Sequence, residues 1–514
     1  LYQKALEGVE EPAEKRRLLL RLGDVLANAG RGGEAATRYL EAAESAAAAE
    51  NLELKRLASS QLLISGRVDE GMKLLRTILK PLRLSVPSSP RLALFLLGWQ
   101  RIRLRFRGVR FRPREESRIS ADLLGRIDLY WAAAVGLGVI DPIQGAYFQA
   151  RGLLLALQSG DPYRIARALA MEAAHEAAPG RSASAEVERL TAVAASLAER
   201  IDSPHARGIV ALARGSSALL MGEWRRAKES LRQAESQFRN RCVGATWELD
   251  TVHILSLWAM LNIGELTAVR ERYVELRREA QDRGDLYAAS TLATIFETFI
   301  QLAADESCED DVPASAVVRR SSDGLSLQHL SEVRSRIELG LYLGRIDDAR
   351  SQVEEIWTSF ARSTLSRIQM IRIQMTEIRA RVALAAAERS ARPEPYLSVV
   401  EQQVRRLVRE PSCWCEGHIY FLRAGLAASR KDSASALHEL GESARAYAKC
   451  DMLLSEHVMR LRAAEIRGGE QGRTQAEAGI ERIRTFGIAS PEAWARMTAP
   501  GFSRIVSGEV DTSF

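Results

Sequence analysis

The chain is 514 residues long, 46% hydrophobic and 27% charged, with a formal net charge of +6. This composition excludes a disordered polypeptide, and abundant Ala, Leu, Arg and Glu with few β-branched runs favour helices. The longest uncharged stretch near the middle, Thr251 to Gly264, is too short to cross a bilayer core of roughly 30 Å, so no membrane span is predicted.

The first predicted elements form a helical hairpin. Leu19, Leu22, Gly23 and Leu26 fall on one helix face, Gly30 sits in the turn, and Ala35, Tyr39 and Ala42 fall on the next helix. Large apolar groups thus line one face, and small residues stand where two helix axes approach. One such unit cannot bury its own apolar face, so copies must stack.

The turn signature recurs down the chain as a glycine followed five residues later by a small or apolar residue. It is found at Gly30/Ala35, Gly66/Gly71, Gly222/Ala227, Gly264/Val269 and Gly344/Ala349. Ala58, Leu62, Gly71, Leu75 and Ile78 repeat the first template, and Gly215, Ala218, Ala227, Leu231 and Ala234 repeat it again. Later copies are weaker, with Tyr273 and Leu276 after Gly264 and Val353 and Ile356 after Gly344. A last hairpin near Lys431, with Ala436 and Leu440, lacks the turn glycine. The expected fold is all-α: a tetratricopeptide-like α-solenoid of stacked antiparallel hairpins, irregular in its middle and C-terminal parts.

Two segments interrupt the pattern and set soft boundaries. Residues 1–86 read as N-terminal repeats, 87–120 as a basic amphipathic connection, 121–304 as a middle solenoid, 305–324 as an acidic and serine-rich linker, and 325–514 as a C-terminal solenoid. The basic segment carries Arg101, Arg103, Arg105, Arg107, Arg110, Arg112 and Arg114 with no acid among them, seven positive charges against a net of +6. Basicity is therefore local, and the excess of Arg over Lys is also what a GC-rich coding sequence would give.

Within that segment Leu92, Phe95, Trp99, Ile102, Phe106 and Val109 recur at three- and four-residue steps, an apolar stripe flanked by arginines. The default expectation is a solenoid helix whose stripe packs inward while its arginines pair with neighbouring acids. The functional one is a surface for an acidic partner, an anionic membrane or phosphates, with Arg101, Arg103, Arg105, Arg107 and Arg110 as contacts. Of these, an acidic partner is expected ahead of nucleic acid or lipid, and no nucleic-acid partner is expected.

Cys413, Cys415 and His418 spell C-x-C-x-x-H, with Cys450 or His457 as a conceivable fourth zinc ligand, but Trp414 between the cysteines points to packing, and no metal site is expected. His175, His205, His253, His329 and His438 show no metalloprotease spacing, and Arg283, Gly284 and Asp285 read as a chance tripeptide. There is no phosphate loop, no G-x-G-x-x-G and no kinase signature. No catalytic residue, cofactor or metal is thus expected in this segment. Five cysteines, at 242, 308, 413, 415 and 450, show no disulfide framework and suggest a reducing, cytoplasmic setting. The chain opens at Leu1 without an initiator methionine or a signal peptide, which suggests part of a longer polypeptide.

Beyond the hairpin template, SGRVDEGMKLLRTIL at 65–79, SPRLALFLLGWQRIRLRFRGVRF at 89–111, RCVGATWELDT at 241–251 and RGDLYAA at 283–289 carry a family resemblance. Together they resemble the C-terminal helical region of large bacterial serine/threonine protein kinases, in which a kinase domain and an AAA-like, STAND-type ATPase module precede tetratricopeptide-like repeats. The resemblance implies that kinase and ATP-binding residues, with their ATP and Mg, lie upstream of Leu1. It implies for this segment a regulatory surface for a protein or peptide, including the chain's own upstream domains. Two alternatives are the sensor half of a STAND-type transcription regulator and a free-standing adaptor that binds an acidic partner through the arginine helix.

Overall fold

The computed structural model describes residues 9, 11–80, 87, 89–138, 141–306 and 325–503. Among them every regular element is helical. The predicted linker at 305–324 lies outside the described residues from 307 onward.

Four helices open the chain, α1 (Pro12–Asn28), α2 (Gly32–Glu44), α3 (Ala48–Ile64) and α4 (Val68–Leu79). After them come α5 (Pro90–Arg107), α6 (Ala121–Gly138), α7 (Pro142–Ser159), α8 (Pro162–Glu176) and α9 (Ser184–Arg200). The middle continues with α10 (Pro204–Leu220), α11 (Trp224–Arg241), α12 (Thr246–Ile263), α13 (Leu266–Arg283), α14 (Leu286–Leu292) and α15 (Thr298–Ala304). A π turn, Ala293–Glu297, joins the last two into one rod. The C-terminal part comprises α16 (Leu327–Tyr342), α17 (Ile346–Arg362), α18 (Gln369–Arg389), α19 (Glu394–Leu407), α20 (Cys413–Ser429), α21 (Ser433–Lys449), α22 (Leu453–Arg467), α23 (Gly469–Arg484) and α24 (Pro491–Thr498).

Consecutive helices pack as antiparallel hairpins, and the first helices of adjacent hairpins touch each other, as α8 does α10 and α10 does α12. This is the stacking expected of a solenoid. The predicted packing residues are buried: Leu19, Leu22, Leu26, Ala35, Tyr39 and Ala42 in the first hairpin, Leu75 and Ile78 in the second, and Ala227, Leu231 and Ala234 further on. Small-to-large pairing explains some of the glycines inside helices. A Cβ on Gly23 would stand 2.6 Å from the Tyr39 ring, and one on Gly208 would stand 2.5 Å from Phe238.

All five signature glycines have positive φ, from +73 at Gly344 to +99 at Gly264. The following amide closes each turn onto a carbonyl five residues back, as from Arg31 to Leu26 and from Glu223 to Ala218, which satisfies carbonyls orphaned at the helix end. The hairpin without a glycine makes the same turn, with Lys431 itself at φ +62 and Asp432 donating to Ala427 O. An L side chain in that conformation costs roughly 1–2 kcal/mol. Lys431 is exposed, so Lys431→Gly is expected to stabilise the chain by about 1 kcal/mol in urea titrations; a destabilisation would contradict this reading of the turn.

The array does not run straight. It winds so that turns meet helices far along the chain: Gly222 faces Trp414, Gly264 faces Leu454, and the Gln369 amide donates to Ala178 O at 2.9 Å. The N-terminal hairpins are drawn in likewise. Gly30 meets Asp285, Gly66 meets Tyr287, and Thr246 Oγ1 donates to Asn28 O at 2.8 Å.

Candidate functional site

Where the N-terminal hairpins close on the middle of the solenoid, they enclose a cavity of about 290 Å³. Its walls come from the turn after α1, from α3, α6, α12 and α14, from the π turn and from the start of α16. Trp131, Trp247, Trp258 and Tyr287 supply aromatic surface, and Glu248, Asp250 and Asp285 supply carboxylates; Asn28, Gln61, Thr251 and Gln328 add hydrogen-bonding groups. A concave, mainly apolar space with a few convergent polar groups is the usual form of a small-molecule site.

The polar groups are held from behind. Asp285 caps α14, accepting from the Ala288 amide at 2.9 Å. Arg283 Nη2 lies 3.0 Å from Asp250 Oδ1 and 3.9 Å from Asp285 Oδ2, one guanidinium between two carboxylates. Burial, and then the charge of Asp285, push the Asp250 carboxyl up to about 8, while Arg283 pulls the other way. Two carboxylates thus share one guanidinium, which leaves this wall with negative charge that a donor on a ligand could meet. Glu248 lies 3.1 Å from His205 Nε2, whose Nδ1 is 3.0 Å from the Tyr163 hydroxyl, so a hydrogen-bonded chain leads from the cavity through the wall. Gln328 Nε2 donates to Thr291 Oγ1 at 2.9 Å and ties α16 to α14.

Sequence reasoning did not find this cavity. Two stretches quoted for the family resemblance, 241–251 and 283–289, hold Trp247, Glu248, Asp250, Thr251, Asp285 and Tyr287 of its lining, but nothing in either stretch marks a cavity. In the structure Gly284, at φ +74, ends α13, and Asp285 begins α14 as its cap. The lining converges from segments spread between Ala27 and Gln328, and periodicity carries no record of that.

The arginine helix is α5, and its five candidate contacts divide by direction. Arg101 points into the body, with Nε 2.8 Å from Glu176 and 3.7 Å from the buried Glu172, whose carboxyl burial pushes up to about 7 against the pull of Arg101. Arg107 donates to the carbonyls of Gly108, Arg110 and Leu157, which fixes the end of the helix to α7. Arg103, Arg105 and Arg110 are exposed and make no ion pair among the described residues; Arg103 donates to Gln100 Oε1 at 3.2 Å. The default expectation of an inward stripe is corrected here. Leu92, Phe95, Trp99, Ile102 and Phe106 all face solvent, Phe106 at 89% exposure, while Val109, past the helix end, packs against the core; a different row of α5, with Ala93 and Leu97 at its centre, packs inward.

The C-x-C-x-x-H residues do not converge on a point. Cys413 faces Cys450, which lowers its thiol by hydrogen bonding; Cys415 Sγ contacts Leu407 O at 3.6 Å; and half-buried His418 meets the Tyr447 hydroxyl at 2.7 Å. His457 packs at a tilt against the Phe486 ring, and no group of three or more metal-ligating side chains occurs among the described residues. No described helix is long and apolar enough to cross a membrane.

In comparisons with known proteins, no protein-family model matches the chain and no curated protein is significantly similar to it.

Proposed function

We propose that this chain is a non-catalytic sensing and regulatory solenoid whose central cavity takes a small organic ligand. The observation that carries this reading is the cavity itself, formed only where the N-terminal hairpins meet α12 and α14. A ligand there touches both parts and favours their closure. Its differential affinity for closed and open forms is what would bias an attached domain. The aromatic walls suit an apolar or aromatic body, and the carboxylates suit a hydrogen-bond donor or a cationic group.

The resemblance to bacterial serine/threonine kinases with an ATPase module supplies the larger frame. In that frame the kinase and ATP-binding parts precede Leu1, the setting is cytoplasmic, and the solenoid is the arm through which a ligand or protein partner acts on them. Kinase activity in the isolated segment would refute this division of labour. An in-frame helix-turn-helix in place of an upstream kinase would favour the transcription-regulator alternative.

The test is native mass spectrometry and thermal unfolding of the purified chain with a panel of small aromatic amines and neutral aromatic compounds. A ligand at a hundredfold its Kd should stabilise the fold by about 2.7 kcal/mol. Thr251→Trp, which fills the cavity, should abolish the bound mass and the thermal shift while leaving the melting of the free chain close to the parent's. Ligand binding indifferent to Thr251→Trp and to Trp247→Ala would place the sensing site elsewhere.

A further inference from the structure

Helix α5 has two apolar faces, only one of which is used by the fold. At 100° per residue, Ala93, Leu97, Gln100 and Leu104 form the inward row; the first three are buried and Leu104 packs against the core. Leu92, Phe95, Trp99, Ile102 and Phe106 form a second row on nearly the opposite side, between 41% and 89% exposed. At 1.5 Å per residue the outer stripe runs for roughly 20 Å. The other large exposed apolar residues among those described, Val25, Val243, Val274, Leu343 and Val408, are aliphatic and spread over the molecule. Among the described residues, the exposed phenylalanines and tryptophan are gathered on this one helix, and such a contiguous patch marks an interaction surface.

The rim of the stripe is basic. Arg103 follows the stripe on one flank and Arg105 on the other, with Arg110 beyond the helix end, all exposed and without an ion pair among the described residues; Arg105 feels the charge of Glu186 without touching it. The helix is held in place from behind by Arg101 and Arg107, so the outer face can be used without unpacking the inner one.

We propose that α5 docks the chain on an anionic lipid surface, lying flat in the interface with the outer stripe among the acyl chains and Arg103, Arg105 and Arg110 at the phosphates. An apolar face of Phe, Trp, Ile and Leu bordered by arginine is the composition of interfacial helices, and the positive rim matches an anionic headgroup layer. Pairing with a second copy would bring two like-charged rims together, which disfavours that occupant. The stripe also stands as a ridge, with Gly98 beside it open to solvent, and a bilayer closes around a ridge without needing a groove of its own. No described helix can span a membrane, so the contact is one of lying on the surface.

The experiment is flotation of the 514-residue chain with vesicles of phosphatidylcholine alone or mixed with phosphatidylglycerol, at low and high salt. Retention is expected on the anionic vesicles, weakening as salt rises. Replacing Arg103, Arg105 and Arg110 together with Gln should lower partitioning about a hundredfold, at roughly 1 kcal/mol per arginine. Phe95→Ser with Phe106→Ser should lower it at least as far, with unchanged helicity and melting because neither ring belongs to the core. Brominated acyl chains should quench tryptophan emission in the parent and less so in Trp99→Phe. The proposal is overturned if anionic vesicles retain nothing, or if retention survives both sets of substitutions. It is equally overturned if the same phenylalanines instead support a dimer in sedimentation, or saturable binding to polyglutamate, without vesicle binding.

Discussion

Replacing Arg381 with methionine should cost about 3–5 kcal/mol, the penalty for removing one partner of a buried ion pair. Arg381 on α18 is buried and bidentate to Glu338 on α16, at 2.8 and 2.7 Å, lies 2.9 Å from Glu377, and donates to Met497 O at 3.0 Å on α24. One guanidinium thus joins three helices, and its loss leaves two carboxylates in a place where burial already pushes Glu377 upward. Arg334, 3.8 Å from Glu338, then remains beside them, and the cost should shrink on acidification, because the carboxylates left without Arg381 can take up protons. It should shrink only in part in the double variant with Glu338→Met, because an apolar pair can replace that ion pair but Glu377 has still lost Arg381 and Arg334 has lost Glu338. Hydrogen exchange of the α16 and α18 amides is the direct reading. A fall in protection of less than about tenfold, or 1.4 kcal/mol, would mean that this cluster does not clamp the C-terminal turn.

The second large effect is expected at Gly222, where two costs coincide. The residue sits at φ +76, and a Cβ there would stand 2.1 Å from Trp414 Cδ1, a buried ring that itself packs edge-on against Trp224 at 5.6 Å. Gly222→Ala should therefore lose roughly 1–2 kcal/mol to the left-handed backbone and about 1–3 kcal/mol to overpacking. Gly344→Ala is the matched control. It has φ +73, but the nearest atom to its Cβ is Arg389 Nη2 at 2.8 Å, the movable end of a long side chain. Urea titrations should rank Gly222→Ala well below Gly344→Ala. Equal costs would mean that the α10–α11 turn does not rest on α20.

These two sites show where sequence reasoning succeeded and where it stopped. The all-α hairpin fold was legible because its rules are local: Gly30, Gly66, Gly222, Gly264 and Gly344 mark left-handed turns, and residues such as Tyr39 and Leu231 mark the large partners of small ones. Lys431 belongs to the same turn class, but a lysine there gives no such mark. The partner of each turn, by contrast, depends on how the array winds. Gly222 with Trp414 and Arg225 with Asp451 are contacts across nearly 200 residues or more, set by small rotations accumulated over many hairpins. The cavity shares that origin and was therefore invisible.

The arginine helix was recognised by its charge and stripe, but the direction of the stripe was misjudged for a physical reason. A periodic row of large apolar residues looks the same whether it faces a core or a partner. The row that α5 buries, with Ala93 and Gln100 in it, is the less conspicuous of the two. Only its neighbours decide, and Arg101 reaching Glu176 turns the small face inward.

Closure of the N-terminal hairpins onto the middle of the solenoid forms the cavity, and covalent capture tests that closure most directly. In a chain whose cysteines have been replaced by serine, Asn28→Cys and Thr246→Cys would be treated with a short bismaleimide, and an internally linked species would be sought on denaturing gels. Asn28 O and Thr246 Oγ1 are 2.8 Å apart, so rapid, concentration-independent linkage is predicted, made faster by any ligand that fills the cavity. Two cysteines that each react fully with a monofunctional maleimide yet fail to link would contradict closure, and the cavity with it.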